Sequence, residues 1–193
     1  FNGEGVDLSL EESFRYIKQA ADKENLLAII KIASIFYNGE GVDSSKYRAS
    51  QYWKIAADKG DIESMKKYAE MLEKGDGIVI DTYESLKYYE KAADKDDVES
   101  MKKYCECFYS DKHCLDKKLQ YCKILADSGD TRYMIKYSIL IYKSNKEESE
   151  NYLKNAAENG NVVAMYHYSF VLLNGYYGKV NQQLTEYYSN IAN

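Results

Sequence analysis

Four cysteines, Cys105, Cys107, Cys114 and Cys122, crowd into one short stretch of the chain with His113 among them. Thiolates and imidazoles are zinc ligands, and a thiolate is also a nucleophile. The spacing speaks against a metal: Cys-x-Cys on a helix points its two sulfurs to different faces, and no Cys-x-x-Cys pair occurs. A second suggestive pattern is a doubled glycine, in "FNGEGV" at residues 1 to 6, "YNGEGV" at 37 to 42 and "EKGDGI" at 73 to 78. A phosphate-binding glycine loop needs a strand before it, a third glycine or Lys-Ser/Thr after it, and a helix N-terminus aimed at the ligand. Here the preceding segment has helical periodicity, so these glycines read as loop punctuation. The other side chains offer little catalysis. His113 and His167 are far apart in the chain, Gly-x-Ser-x-Gly and His-Glu-x-x-His are both absent, and the acids are spread along polar helix faces.

The elements that must position these residues repeat. The leading glycines Gly3, Gly39 and Gly75 are 36 residues apart, and a fixed period of this length is the signature of a stacked array. A second anchor is a small pair closing an amphipathic run: Ala20-Ala21, Ala56-Ala57, Ala92-Ala93, Leu125-Ala126 and Ala156-Ala157. Twelve residues beyond the first member of each pair stand Ile32, Tyr68, Tyr104, Tyr137 and Tyr168. The return distance to the next pair varies. A one-residue change in a tight joint turns the next helix by about 100° and rotates its apolar face away, whereas a loop absorbs insertions at small entropic cost. The 12-residue link is therefore the rigid joint, and the variable, glycine-bearing connection is the loop.

Each unit is a helix hairpin. In "DIESMKKYAEMLEKG", Met65, Tyr68, Ala69 and Leu72 make one apolar face, Asp61 suits an N-cap and Gly75 suits the left-handed residue that ends the helix. In the trailing helix Leu86, Tyr89 and Ala93 do the same. The pattern predicts eleven helices, a lone trailing helix over 8–22 and hairpins over 25–58, 61–94, 97–127, 130–159 and 161–192. One hairpin cannot bury its stripe; stacked hairpins can. The expected fold is all-α, a right-handed superhelical solenoid of about five and a half hairpins forming a single domain over 1–193. Because the first residues match only the tail of a unit, the chain reads as a piece of a longer array.

Composition narrows the function classes. With 45% hydrophobic and 30% charged residues and a net charge of −5, the chain is an ordinary globular one, and lysines interleaved with acids give no basic stripe for nucleic acid. No apolar run reaches the length of a membrane span. Proline is absent and tyrosine numbers 21, most at helical core spacing. The modest cysteine content and the lack of an Asn-x-Ser/Thr sequon favour the cytosol over the endoplasmic reticulum lumen.

The segment "GDIESMKKYAEMLEKGDGIVIDTYESLKYYEKAAD" resembles the Sel-one-like repeat, a branch of the tetratricopeptide-like solenoids, with small residues in the first helix, a Gly-x-Gly-Val loop and a closing Ala-Ala pair. The resemblance covers the whole chain and is weakest over 97–143, where "SDKHCLD" and "KSNKE" replace the glycines. It implies a non-catalytic scaffold or adaptor that binds a partner protein or peptide in its groove and needs no cofactor. Some cysteine-rich solenoids of similar build have been proposed as hydrolases, which makes a thiol or metal enzyme centred on the third hairpin the competing reading.

Two expectations about sites follow. Cys105 aligns with Ala69, and Cys122 with Trp53 and Tyr89, so both belong to the core, as reduced thiols in preference to a metal site or a Cys105–Cys122 disulfide; Cys107 and Cys114 are expected outside it. Along the leading helices, the positions facing an open groove are charged in the middle of the array (Glu63, Lys66, Glu70; Glu99, Lys102, Glu106) and apolar near its end. Ile135, Ile139, Tyr166 and Phe170 are the expected anchor patch for a partner, with Arg132 and Lys143 steering an acidic flank.

Overall fold

The computed structural model describes residues 10–107, 112–177 and 182–192, so residues 1–9, and with them Gly3, lie outside the described residues. Among the described residues there are eleven α-helices and no strand, an all-α repeat fold: α1 (Leu10–Asp22), α2 (Leu26–Asn38), α3 (Lys46–Asp58), α4 (Ile62–Lys74), α5 (Thr82–Ala93), α6 (Val98–Cys105), α7 (Lys112–Asp127), α8 (Thr131–Ile141), α9 (Lys146–Glu158), α10 (Val162–Leu173) and α11 (Gln182–Ala192). The helices group into two compact units, residues 1–100 and 101–193, divided within α6.

Local chemistry explains where these helices start. Asn25, Ser45, Asp61, Asp81, Asn145 and Asn161 each accept a hydrogen bond from the backbone N–H three residues on, which satisfies a donor that the first turn leaves unpaired. The tight joints all close the same way. The backbone N–H groups of Asn25, Asp61, Asp97, Asp130 and Asn161 donate to the carbonyls of Ala20, Ala56, Ala92, Leu125 and Ala156, at 3.1 to 3.3 Å. The residue before each donor has positive φ: Glu24, Gly60, Asp96, Gly129 and Gly160. One hydrogen bond and one left-handed residue thus set the direction of each following helix, which is the physical content of the constant 12-residue spacing.

In the first unit, Ile32, Ala33, Trp53, Ala56, Tyr68, Ala69, Leu72, Tyr89 and Ala92 share one core. Gly39 and Gly75, both left-handed, end α2 and α4 and return their N–H groups to Ile35 and Met71. The second glycine of each pair has a different duty. A Cβ on Gly77 would lie 2.9 Å from the Lys46 carbonyl carbon and 3.0 Å from the Tyr47 nitrogen, and one on Gly41 would lie 2.8 Å from the Leu10 Cβ. Lys46 and Leu10 are the first residues of α3 and α1, one period apart, so the second glycine lets the loop touch the start of the preceding trailing helix. Between the glycines, Asp76 accepts from Tyr37 Oη at 2.8 Å and from Lys46 Nζ at 2.6 Å. That loop is more tightly held than a slack connection, which corrects the expectation that its residues absorb change freely.

In the second unit, Ile135, Leu153, Ala156, Ala157, Ala164, Met165, Tyr168 and Leu172 form the core of α8 to α11. Tyr104 and Tyr121 pack edge to face at 5.2 Å where α6 meets α7.

Candidate functional site

In the second unit α8 carries Ile135, Ser138 and Ile139 along one side with Tyr142 just past its C-terminal end, α9 supplies Ser149 and Leu153, and α10 supplies His167, Phe170 and Val171. After α10 the chain turns at Gly175, whose φ is 64°, and the Tyr176 N–H returns to the Val171 carbonyl, which brings Tyr176 and Tyr177 back over the helices. Together they enclose a cleft of about 360 Å³ whose lining contains no carboxylate. Its floor, Ile135 and Leu153, is buried; Ile139 at 64%, Phe170 at 49% and Tyr176 at 46% exposure form its rim.

Hydrogen bonds and ring contacts fix that rim. Ser149 Oγ donates to the Ser138 carbonyl at 2.8 Å, so the 3.1 Å contact with Tyr177 must be the tyrosine O–H donating to the serine. Burial pushes the Tyr177 phenol above its usual pKa. Tyr142 Oη donates to the Tyr176 carbonyl at 3.3 Å, and its ring meets those of Tyr176 and Tyr177 edge to face at 6.4 and 5.7 Å. Phe170 stacks on Tyr176 at 6.2 Å.

Ile139 also belongs to a neighbouring cleft of about 450 Å³, lined by Cys105, Glu106, Cys107, Lys118, Lys136 and Leu140. Lys118 Nζ donates to the Cys107 carbonyl at 2.7 Å, and Lys136 pairs with Glu106 at 3.4 Å. An apolar, aromatic slot and a lysine-bearing slot thus share one isoleucine.

The expected anchor residues are distributed unevenly over this surface. Ile139 and Phe170 meet in the cleft. Tyr166 is exposed, lies edge to face with the His167 ring at 6.0 Å, and does not line it. Ile135 is core, not open surface: it is 9% exposed and packs with the residues beneath α10. The reason recurs along the array, since its equivalents also turn toward the next leading helix. Lys66 reaches Glu99 at 2.9 Å and Asp97 at 3.6 Å, and Lys102 reaches Asp130 at 3.6 Å. Lys66 is accordingly half-sequestered instead of freely solvated, and its ammonium is held above the usual lysine range chiefly by the Glu99 hydrogen bond. Arg132 folds back onto Asp130, the cap of its own helix, at 3.1 Å, and Lys143 is exposed outside both clefts. The cations beside the shared isoleucine are Lys118 and Lys136. Sequence reasoning missed these two and the rim tyrosines; the one available signal was "NGYYG" standing where other units have "NGEGV".

The four cysteines of the third hairpin are in the reduced, thiol form. Cys105 and Cys122 are buried as expected, and Cys107 is half-buried; Cys114, expected outside, is buried at 3% exposure because it falls on the inner face of the first turn of α7. Among the described residues no group of three or more His, Cys, Asp and Glu side chains is placed to hold a metal, and no helix is long and apolar enough to cross a membrane.

The Sel1 repeat model matches residues 1–25, 26–61, 62–97, 125–161 and 162–192, leaving the body of the cysteine hairpin unmatched. Among solved structures, a Sel1 repeat protein from Oxalobacter formigenes superposes with a TM-score of 0.74 at 20% identity, over 94% of this chain and 55% of that one. The protein c5321, a protective antigen present in uropathogenic Escherichia coli strains and displaying an SLR fold, superposes with a TM-score of 0.56 at 16% identity, over 97% of this chain and 42% of that one. These likenesses concern the fold, and the chain spans about half the length of these relatives. No curated protein sequence matches it. Five repeat matches joined by the shared joint geometry place the chain in the Sel1 repeat family, whose members generally serve as protein-interaction scaffolds.

Proposed function

We propose that this chain is a non-catalytic scaffold that binds a partner polypeptide on the second unit, with a bulky apolar side chain of the partner in the slot between Ile139, Phe170 and Tyr176 and an acidic residue beside Lys118 and Lys136. The observation that carries the reading is the exposure of Ile139 and Phe170 around a cleft with a buried apolar floor and no carboxylate in its lining. Large apolar side chains left open to water at the rim of a formed cleft are what a hydrophobic anchor residue recognises. The tyrosines add rigid contact area at low entropic cost, and their hydroxyl bonds to Ser149 and to the Tyr176 carbonyl hold the slot open before binding. The partner's acid follows from charge: Lys118, whose Nζ donates to the uncharged Cys107 carbonyl, is a cation in the lining of the second slot.

Selection of peptides from a displayed random library on the immobilised chain tests this. Enriched peptides should share a large apolar residue followed or preceded by Asp or Glu. A synthetic peptide from that set should lose about ten-fold or more in affinity against Phe170→Asp or Ile139→Asp, while the melting temperature of each variant stays near that of the parent. Peptides that bind both variants as tightly as the parent would place the binding surface elsewhere.

A further inference from the structure

Every leading helix carries a basic residue at one position. Lys31, Lys67, Lys103 and Lys136 hold it in α2, α4, α6 and α8, just before Ile32, Tyr68, Tyr104 and Tyr137, and in α10 the same position, before Tyr168, holds His167. Three of the lysines show how the charge is met. Lys31 pairs with Glu40 in the following loop at 3.1 Å, Lys67 with Glu63 on its own helix at 3.8 Å, and Lys136 with Glu106, just past α6, at 3.4 Å. Around His167 the repeat counterparts of those three acids are Tyr176, Val163 and Ile139. Each route that neutralises this position elsewhere has been replaced by an aromatic or aliphatic side chain.

His167 is exposed and lines the apolar cleft. Facing the same cleft, α8 presents Ile135, Ser138 and Ile139, α9 presents Ser149 and Leu153, and the ionisable groups of the described lining are otherwise the phenols of Tyr142, Tyr176 and Tyr177. Phenols charge only in alkaline solution, whereas histidine is the side chain that ordinarily changes charge between pH 5 and 8. The charges on the neighbouring helices are engaged elsewhere. On α9, Glu148 pairs with Lys123, Glu150 accepts from Tyr168 Oη at 3.3 Å, Lys154 pairs with Glu158, and Lys146 lies over the Tyr142 ring at 5.7 Å. Glu186 on α11 is exposed outside the lining.

We propose that His167 makes partner binding on the second unit pH-dependent, admitting an apolar side chain while its ring is neutral and rejecting it once the ring is protonated. This rests on the scaffold reading of the same slot. An apolar side chain seated between Ile139, Phe170 and Tyr176 covers the neighbouring imidazole and removes its water. A neutral ring loses little by this, but an imidazolium loses its hydration with no carboxylate in the lining to replace it. The complex therefore favours the neutral ring, so affinity is full above the pH range in which the free ring protonates and falls as the pH drops through it. A lysine, as in the other leading helices, would keep its charge throughout that range. The partner's own Asp or Glu stays ionised down to about pH 5, so the proton taken up at His167 governs the change.

The test is calorimetric titration, at pH 7.5 and pH 5.5, of one acid-containing peptide enriched on the full chain at pH 7.5. The Kd of the parent should rise about ten-fold at the lower pH. His167→Gln should bind like the parent at pH 7.5 and change by less than about two-fold at pH 5.5, while His167→Lys should bind weakly at both. Residue 167 is exposed, so both variants should melt with the parent, which thermal scans at each pH check. A parent Kd that is equal or lower at pH 5.5, or a loss of the same size in His167→Gln, would overturn the proposal. Failure of the scaffold reading looks different: Phe170→Asp then binds the peptide as tightly as the parent at pH 7.5, and both readings go. Binding that is lost in Phe170→Asp yet flat with pH in the parent overturns the His167 proposal alone.

Discussion

Single side chains show how repeat positions are reused. Asp97 accepts from the Ser100 N–H at 2.8 Å and faces Lys66. Burial opposes its ionisation, but the Ser100 hydrogen bonds and Lys66 outweigh that and leave its carboxyl below the ordinary aspartate range. A folded-state pKa below the unfolded value means that the carboxylate stabilises the fold above about pH 4 and that this contribution is lost as the pH falls further. Asp97→Ala should therefore cost about 1 kcal/mol at pH 7 and much less at pH 3. Asp97→Asn should keep most of the cap at both values. Denaturant melts at the two pH values decide; an equal loss for Ala at both would mean that the charge contributes nothing. Among the thiols, the half-buried Cys107 should label first with a maleimide, ahead of the three buried ones. Cys122→Ala should cost about 1 kcal/mol through the space it leaves. Simultaneous fast labelling of all four thiols would contradict the packing of α6 on α7.

At the scale of elements, the joints and loops divide the work. Five joints use one positive-φ residue, but two of the five fill it with Glu24 and Asp96, where a side chain strains the backbone. Asp96→Gly should raise stability by up to about 1 kcal/mol, with the entropy of the unfolded chain setting the ceiling. A destabilised Asp96→Gly variant in a urea titration would mean that the Asp side chain repays its own strain. An extra residue between Gly60 and Asp61 breaks the hydrogen bond to Ala56 and turns α4 off its core, so it should lower the melting temperature far more than one between Val79 and Ile80, at 87% and 60% exposure. Asp76 is a poor place for such an insertion because Tyr37 and Lys46 both bond to it.

For the molecule as a whole, the contrast between Ile135 and Ile139 separates fold from function. They lie one turn apart on α8, with Ile135 at 9% and Ile139 at 64% exposure. Ile135→Asp should cost about 3 kcal/mol or more, since it buries an unpaired carboxylate, and should abolish binding only by unfolding the second unit. Ile139→Asp should leave the thermal melt nearly unchanged. If both variants melt alike, the cleft between α8 and α10 is closed by packing and is not a surface.

The sequence by itself determined the helices, the caps at Asp61 and Gly75, the recurring core positions of the hairpins and the family. Those follow from local rules, periodicity, capping chemistry and a constant joint, which act over a few residues and recur five times. The glycine loops were legible as loops for the same reason. The neighbour that each exposed position meets was decided only in the tertiary structure. Lys66, Lys102 and Ile135 occupy one repeat position, and all three turn toward the next leading helix, so a helix that reads as presenting an open face has part of that face covered. Arg132 is spent on its own cap. Tyr176 and Tyr177, distant from Ile139 in the sequence, come to line its cleft beside Tyr142 because the turn after α10 folds back onto α8. Contacts between residues about 30 apart depend on the stacking angle of successive hairpins, and that angle is fixed by the packing of whole helices, not by the pattern within any one of them.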